Sequence, residues 1–234
     1  MNRINELINE LNKIYDMKIN YNKNYEMAFT HSSYINEQKN LLKHDSYERL
    51  EFLGDATLEI SVSEYLYIKF PNFSEGQLTK IRASVVCEPS LVKQAKKLGF
   101  DKYIILGKGE EKIGGRNRPA LLADIFESFL GALYLDKGLE SVKNFLSKTL
   151  FKEIQDEDYS TFIDYKTILQ EYISKEKLGV IEYKLISSIG PSHEKIFVSA
   201  IYIDEKKFGE GTAKTKKESE QIAAKLALQK LNFI

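Results

Sequence analysis

Glu48-Arg49-Leu50-Glu51-Phe52-Leu53-Gly54-Asp55 places three carboxylates inside a run whose apolar residues recur at helical spacing. Ala123-Asp124-Ile125-Phe126-Glu127 does the same with two more. Taking an unpaired carboxylate out of water is costly, so each such group needs a cation, a proton or a hydrogen-bond donor. At 100° per residue, Glu48, Glu51 and Asp55 fall within about 60° on one helical face. Asp124 and Glu127 share a face of the second run, which Gly131 continues. Gly54 and Gly131 are small enough to let two helices cross closely with their acids facing.

The competing reading is a pair of solvated helix faces. The second run speaks against it, because Leu121 to Leu135 is apolar almost all round and its only charged groups are Asp124 and Glu127. Glu51, Asp55, Asp124 and Glu127 therefore suggest a divalent-metal site. Hard oxygen donors favour Mg²⁺, with Mn²⁺ as a possible substitute, and no His/Cys set has zinc spacing. A magnesium ion held by carboxylates polarises a phosphoryl group and generates hydroxide for in-line attack.

The chain has 234 residues, 43% of them hydrophobic, enough for one large domain or a medium and a small one. Its single cysteine, Cys87, allows no internal disulfide, so a reducing, cytoplasmic setting is expected. Met1-Asn2-Arg3-Ile4-Asn5-Glu6-Leu7 has no unbroken apolar core and is not read as a signal peptide. No apolar run approaches the ~20 residues of a membrane span, so no membrane partner is expected. The net charge is zero, which by itself argues mildly against a nucleic-acid binder. The placement of the charges carries more information than their sum.

Residues 1–154 read as mostly helical. Ile4, Leu7, Ile8 and Leu11 repeat at helical spacing, and a long periodic segment runs from Glu48 to Tyr67, stopped by Pro71. Leu78, Ile81 and Val85 mark another helix, and a short one spans Ser90 to Leu98 with Gly99 as its cap. Leu121 to Leu135 and Leu139 to Leu150 follow, after a loop at Gly107 to Arg118. Residues 155–162 read as a linker, opening with the acidic Gln155-Asp156-Glu157-Asp158. Residues 163–234 form a second domain. A helix over Asp164 to Lys175 precedes strand-like runs at Glu182 to Ile189, Ile196 to Ile203 and, briefly, around Phe208. A last helix starts at the capping-box sequence Thr215-Lys216-Lys217-Glu218.

That second domain offers three separated contact regions. Lys214, Lys216 and Lys217 crowd a helix N-terminus, where ammonium groups and free N–H groups suit phosphates. Gly190-Pro191-Ser192-His193 projects a loop between two strands, and Thr167, Gln170 and Glu171 line the polar side of the first helix. Binding across successive grooves of an A-form duplex requires such an arrangement. A small domain with a charged helix end is the plainer alternative. Elsewhere, His31 reads as a hydrogen-bonded structural histidine, Glu59 as solvated or paired, and Cys87 as a small core residue. Gly107-Lys108-Gly109 lacks the spacing of a phosphate loop. Glu75 opens a probable helix, where an acid suits the dipole.

Ser46 to Ala56, SYERLEFLGDA, closely resembles the signature of the ribonuclease III family, and LLADIFESFLGALYLDKG at Leu121 to Gly138 is similar to its second catalytic segment. THSSY at Thr30 and LGKGE at Leu106 fit as well. From Asp164 onward, DYKTILQEY, GPSH and GEGTAKTKKESEQIAAKLAL resemble a double-stranded-RNA-binding domain. The resemblance implies an all-α endonuclease domain followed by a small α-β-β-β-α domain. It implies a homodimeric, Mg²⁺-dependent endoribonuclease, without an organic cofactor, that cuts double-stranded RNA to 5′-phosphate and 3′-hydroxyl ends. Processing of ribosomal, messenger and transfer RNA precursors is the family expectation. Glu51, Asp55, Asp124 and Glu127 match the metal-binding carboxylates, with Asp55 and Glu127 central to catalysis. Glu48 and Glu75 match secondary acids near the cleavage site. Phe52 matches an aromatic that packs into the partner subunit, against the plainer alternative of core packing. Arg118-Pro119-Ala120 and Ser128 depart from the family pattern without removing a ligand. A protein that grips duplex RNA without cutting it is the alternative function.

Overall fold

The computed structural model describes residues 3–38, 42, 45–156, 164–191 and 194–233. The chain divides into two units, Met1–Tyr159 and Ser160–Ile234.

The first unit is helical, and its centre is the crossing of α4 (Glu48–Lys69) with α8 (Pro119–Lys137). Pro119 starts α8 at a position where its missing N–H costs nothing. The buried residues of α4 are Leu50, Gly54, Thr57, Leu58, Ser61, Val62 and Leu66, a stripe of three- and four-residue steps. α8 is buried nearly all round, as its apolar composition predicts. The two helices touch backbone to backbone. A Cβ on Gly54 would strike the carbonyl of Glu127, and one on Gly131 the carbonyl of Leu50. Phe126 and Phe129 of α8 pack with Phe29, Phe100 and Phe145, ring centroids 5.1–6.4 Å apart.

The remaining helices cover this pair. α1 (Arg3–Tyr15) buries Ile4, Leu7, Ile8 and Leu11, the positions its spacing predicts. α2 (Lys23–Ala28) and α3 (Ser32–Glu37) are short, and each is capped by the residue before it, Asn22 and His31. Ser128 explains its own departure from the family pattern. It is fully buried in α8, and its hydroxyl donates to the Ala28 carbonyl at 2.6 Å, satisfying an otherwise orphaned group at the end of α2. α5 (Glu75–Val85) begins with a complete capping box between Ser74 and Gln77. α6 (Glu88–Lys97) ends before Gly99, whose φ of 69° suits glycine. α9 (Leu139–Lys148) and α10 (Leu150–Asp156) close the unit.

Three expectations need correction. Gly107 to Arg118 is not all loop: it holds α7 (Lys108–Lys112) and a 3-10 turn at Gly115–Asn117. Gln155 and Asp156 belong to α10 rather than to a linker, and 157–163 lie outside the described residues. Cys87 is half-exposed at the junction of α5 and α6, its thiol donating to the Ser84 carbonyl, so it is not a core residue.

The second unit is α11 (Tyr165–Glu176), β1 (Ile181–Ile189), β2 (Ile196–Ile203), β3 (Lys206–Ala213) and α12 (Lys216–Lys230). The sheet is antiparallel in the order β1-β2-β3, with Ile189 opposite Ile196 and Phe197 opposite Ala213. Leu169 and Ile173 of α11, Ile201 and Ile203 of β2, and Ala223, Ala224, Ala227 and Leu228 of α12 form its core. Gly209 and Gly211 lie against α12, where side chains would strike the carbonyls of Ala223 and Ser219. Ser199 of β2 and Ser219 of α12, both buried, share a 2.7 Å hydrogen bond.

Candidate active site and nucleic-acid interface

Glu51 and Asp55 each follow a buried residue of α4, Leu50 and Gly54, by one helical step. They therefore stand at the edge of the crossing rather than inside it. Asp124 and Glu127 lie one turn apart on α8. Among the described residues, carboxylate oxygens of Glu51, Asp124 and Glu127 come within 4.8 Å of one another. Asp55 stands outside that group and is exposed. Its charge is nonetheless the largest Coulombic influence raising Glu127.

The electrostatics record how crowded this corner is. Burial, then Asp55, Glu51 and Asp124, push Glu127 up to about 8. Burial, then Asp124, Glu48 and Asp55, push Glu51 up to about 7. Burial raises Asp124 as well, opposed by a hydrogen bond from Tyr47 and by the Arg118 guanidinium. Like charges brought together without a cation hold protons more tightly. A set of hard oxygen donors with no nitrogen or sulfur fits Mg²⁺ or Mn²⁺.

Around the acids is a shell that sequence reading missed. Tyr47 donates to Asp124 Oδ2 at 3.0 Å. The His31 ring stacks on Tyr47, with centroids 5.8 Å apart. His31 Nδ1 caps α3 by accepting from the Ser33 N–H, and its Nε2 lies 3.5 Å from Arg118, which pairs with Glu110. Burial holds the His31 pKa below its ordinary value. His31 is thus a structural histidine next to the site. The signal for Tyr47 was its spacing: it stands four residues before Glu51, on the same face.

The other acids are dispersed. Glu48 is exposed at the start of α4 and acts on Glu51 through its charge. Glu59 pairs with Arg82 at 2.9 Å. Glu75 accepts from Thr79 and lines a groove between α4 and α5 with Ile60, Tyr67, Phe73 and Leu78. It belongs to none of the close acid groups among the described residues. Phe52 is 81% exposed, which rules out core packing within its own unit.

In the second unit, Thr167, Gln170 and Glu171 are exposed and share one surface depression with Ser174 and Lys175. Lys214, Lys216 and Lys217 are exposed at the start of α12, where Thr215 caps by accepting from the Glu218 N–H. Asp164 Oδ1 accepts from the Thr167 N–H and from Gln221, and Lys166 pairs with Glu220, so the N-terminal turns of α11 and α12 are tied together. Gly190, with φ 107°, turns the chain after β1. His193 lies outside the described residues.

A family model described as Ribonuclease-III-like matches residues 22–154, and one described as Double-stranded RNA binding motif matches residues 165–231. Over 207 residues the chain is 54% identical to Ribonuclease 3 of Geobacillus sp. (strain WCH70), covering 88% of this chain and 84% of that one. It is 53% identical over 204 residues to Ribonuclease 3 of Bacillus cereus (strain AH187), covering 87% and 83%. The nuclease domain of ribonuclease III from Campylobacter jejuni aligns in structure with TM-score 0.56 and 35% identity, over 64% of this chain and 98% of that one. The chain belongs to the ribonuclease III family: it is an endoribonuclease, its helical nuclease domain followed by a double-stranded-RNA-binding motif.

Proposed function

We propose that the protein is a Mg²⁺-dependent endonuclease that hydrolyses double-stranded RNA at the corner formed by Glu51, Asp55, Asp124 and Glu127. The observation that carries this reading is the convergence of Glu51, Asp124 and Glu127 on one small volume. A bound Mg²⁺ supplies positive charge to a phosphoryl oxygen and lowers the pKa of water. Glu51, Asp124 and Glu127 would hold it, with Asp55 as a further ligand at the exposed edge of the same corner that joins Glu127 in the catalytic pair. Glu48 adds negative charge behind Glu51, and Glu75 is assigned a secondary role at the cleavage site. Water adds its oxygen to phosphorus and loses a proton, the P–O3′ bond breaks, and the 3′ oxygen leaves protonated, so the products carry 5′-phosphate and 3′-hydroxyl ends.

The duplex is held by Thr167, Gln170 and Glu171 on α11, by His193, and by Lys214, Lys216 and Lys217 at α12. The active assembly is a homodimer, in which exposed Phe52 of one copy fills an apolar surface of the other. Support comes from the exposed aromatic and from the groove between α4 and α5. Precursors of ribosomal, messenger and transfer RNA in the cytoplasm are the proposed substrates. No helix among the described residues is long and apolar enough to cross a membrane.

A Glu127→Gln variant with a defined RNA hairpin and Mg²⁺ tests the reading on a denaturing gel. Binding is retained and cleavage falls by orders of magnitude. Cleavage near the wild-type rate would remove Glu127 from the mechanism.

A further inference from the structure

We propose that Tyr47 is a positioning residue for the metal site, acting by fixing the carboxylate of Asp124. The proposal deepens the magnesium reading above and rests on it. Tyr47 immediately precedes α4, a place where Ser, Thr, Asp or Asn would cap the free N–H groups. Its side chain makes no capping bond. Instead the ring is buried, 6% exposed, and its hydroxyl reaches across 77 residues of sequence to donate to Asp124 Oδ2 at 3.0 Å.

The aim of that hydroxyl is set from several sides. The Tyr47 N–H donates to the Thr30 carbonyl at 2.9 Å, which fixes the backbone. The adjacent His31 stacks nearly parallel to the ring, at an interplanar angle of 21°. His31 is held in turn by Ser33, whose N–H donates to Nδ1 at 3.1 Å. The Ser33 hydroxyl accepts from the Gly107 N–H at 3.0 Å, and the His31 N–H donates to the Ile105 carbonyl. The Thr30–Ser33 segment and the 105–107 strip therefore form a frame, and Tyr47 is the part of it that touches the acid cluster.

A carboxylate on a two-torsion stem turns freely unless something holds one oxygen. A phenol O–H donating to Oδ2 removes that rotation, and does so without adding a charge that would compete with a cation. Hydrogen bonds of this kind to metal ligands orient them and tune affinity, and losing one weakens metal binding about 10- to 100-fold. Asp124 is the ligand that the Tyr47 hydroxyl reaches, and the bond holds Oδ2 while leaving Oδ1 free for a cation.

Tyr47→Phe tests the proposal, because it keeps the ring on His31 and deletes only the hydroxyl. Mn²⁺ affinity, followed by the loss of the free-ion signal in electron paramagnetic resonance, needs no RNA and no turnover. The expected result is about 10-fold weaker Mn²⁺ binding with an unchanged melting temperature. In hairpin cleavage, the Mg²⁺ concentration for half-maximal rate rises by a similar factor, while the rate at saturating Mg²⁺ stays within a few fold of wild type. Tyr47→Leu, which also removes the stack, lowers the melting temperature, and that separates a packing role from a positioning one. If wild type binds Mn²⁺, Asp124→Ala abolishes that binding and Tyr47→Phe matches wild type in both measurements, the positioning role is wrong and the metal site stands. If Asp124→Ala binds Mn²⁺ as wild type does, the magnesium reading itself fails, and this proposal with it.

Discussion

Gly54→Ala should cripple the enzyme through one methyl group. The added Cβ would sit 2.5 Å from the carbonyl carbon of Glu127, closer still to its oxygen, and 3.0 Å from the Gly131 nitrogen. Carbon atoms in good contact stand about 3.5–4.0 Å apart, so clearing the carbonyl carbon alone parts α4 and α8 by about 1 Å, and the nearer oxygen demands more. Backbone cannot rotate away as a flexible side chain can. Overpacking of this kind costs typically 1–3 kcal/mol and occasionally more, and a backbone-on-backbone clash belongs at or above the top, about 3 kcal/mol. For a unit of this size that is a fall in Tm of roughly 6–12 °C. Because the struck carbonyl belongs to Glu127, the displacement falls on the acid cluster itself, and a ~1 Å misplacement costs about 100-fold in rate. At Gly131 the nearest carbonyl carbon, that of Leu50, would lie 3.1 Å away, so Gly131→Ala should be milder. Gly76, in the first turn of α5, has nothing within 4 Å, and Gly76→Ala should be neutral or stabilise by up to about 1 kcal/mol. Differential scanning calorimetry and a hairpin cleavage assay on the three variants give the order. A Gly54→Ala protein that melts and cleaves like wild type, or a Gly76→Ala protein as damaged as Gly54→Ala, would refute the reasoning.

Phe52→Asp should convert a dimer to a monomer by analytical ultracentrifugation without lowering the monomer's stability, since the side chain is already exposed. Lys216→Ala and Lys217→Ala should each reduce the slope of log binding constant against log salt by roughly one unit, measured by filter binding to duplex RNA. The acids make a pH prediction. Glu51 and Glu127 have folded pKa values of about 7 and about 8, above their ordinary 4.5, so the metal-free folded state binds more protons than the unfolded state between those values. Stability in EDTA should therefore be fullest below about pH 4.5 as far as these two groups are concerned, and be lost as pH rises toward 8. Saturating Mg²⁺ should offset that loss, with apparent Mg²⁺ affinity rising over the same range as protons are displaced. Melting curves against pH, with and without Mg²⁺, read both effects.

The crossing of α4 and α8 was legible because helical spacing places Glu51 and Asp55 beside Gly54, and Asp124 and Glu127 on a face with Gly131. Four- and three-residue steps survive any tertiary context. α2, α3 and α7 were not legible, since five or six residues cannot display a 3.6-residue period. β3 reads as short because Gly209 and Gly211 dilute its β-branched character, yet those glycines are what the close approach of α12 demands. Phe52 within an apolar helix reads as core from its own chemistry, and only the family resemblance pointed outward. Cys87 misled in the same way, its small apolar side chain standing at a helix junction instead of in the core. The Tyr47–Asp124 bond joins residues 77 positions apart that only the folded chain brings together.

The joint between α12 and β3 has a consequence for selectivity. With Gly209 and Gly211 beneath it, the helix meets the main chain of β3 directly, so its height over that strand is not set by side-chain rotamers there. The lysines at its start therefore project from a ruler of fixed length rather than from a hinge. Their own flexible stems absorb small mismatches, while the spacing to α11 stays constant. A partner loses freedom on docking, but the protein has little left to lose there. Under the proposed duplex-binding role, such a surface gauges the pitch of a helix instead of its letters.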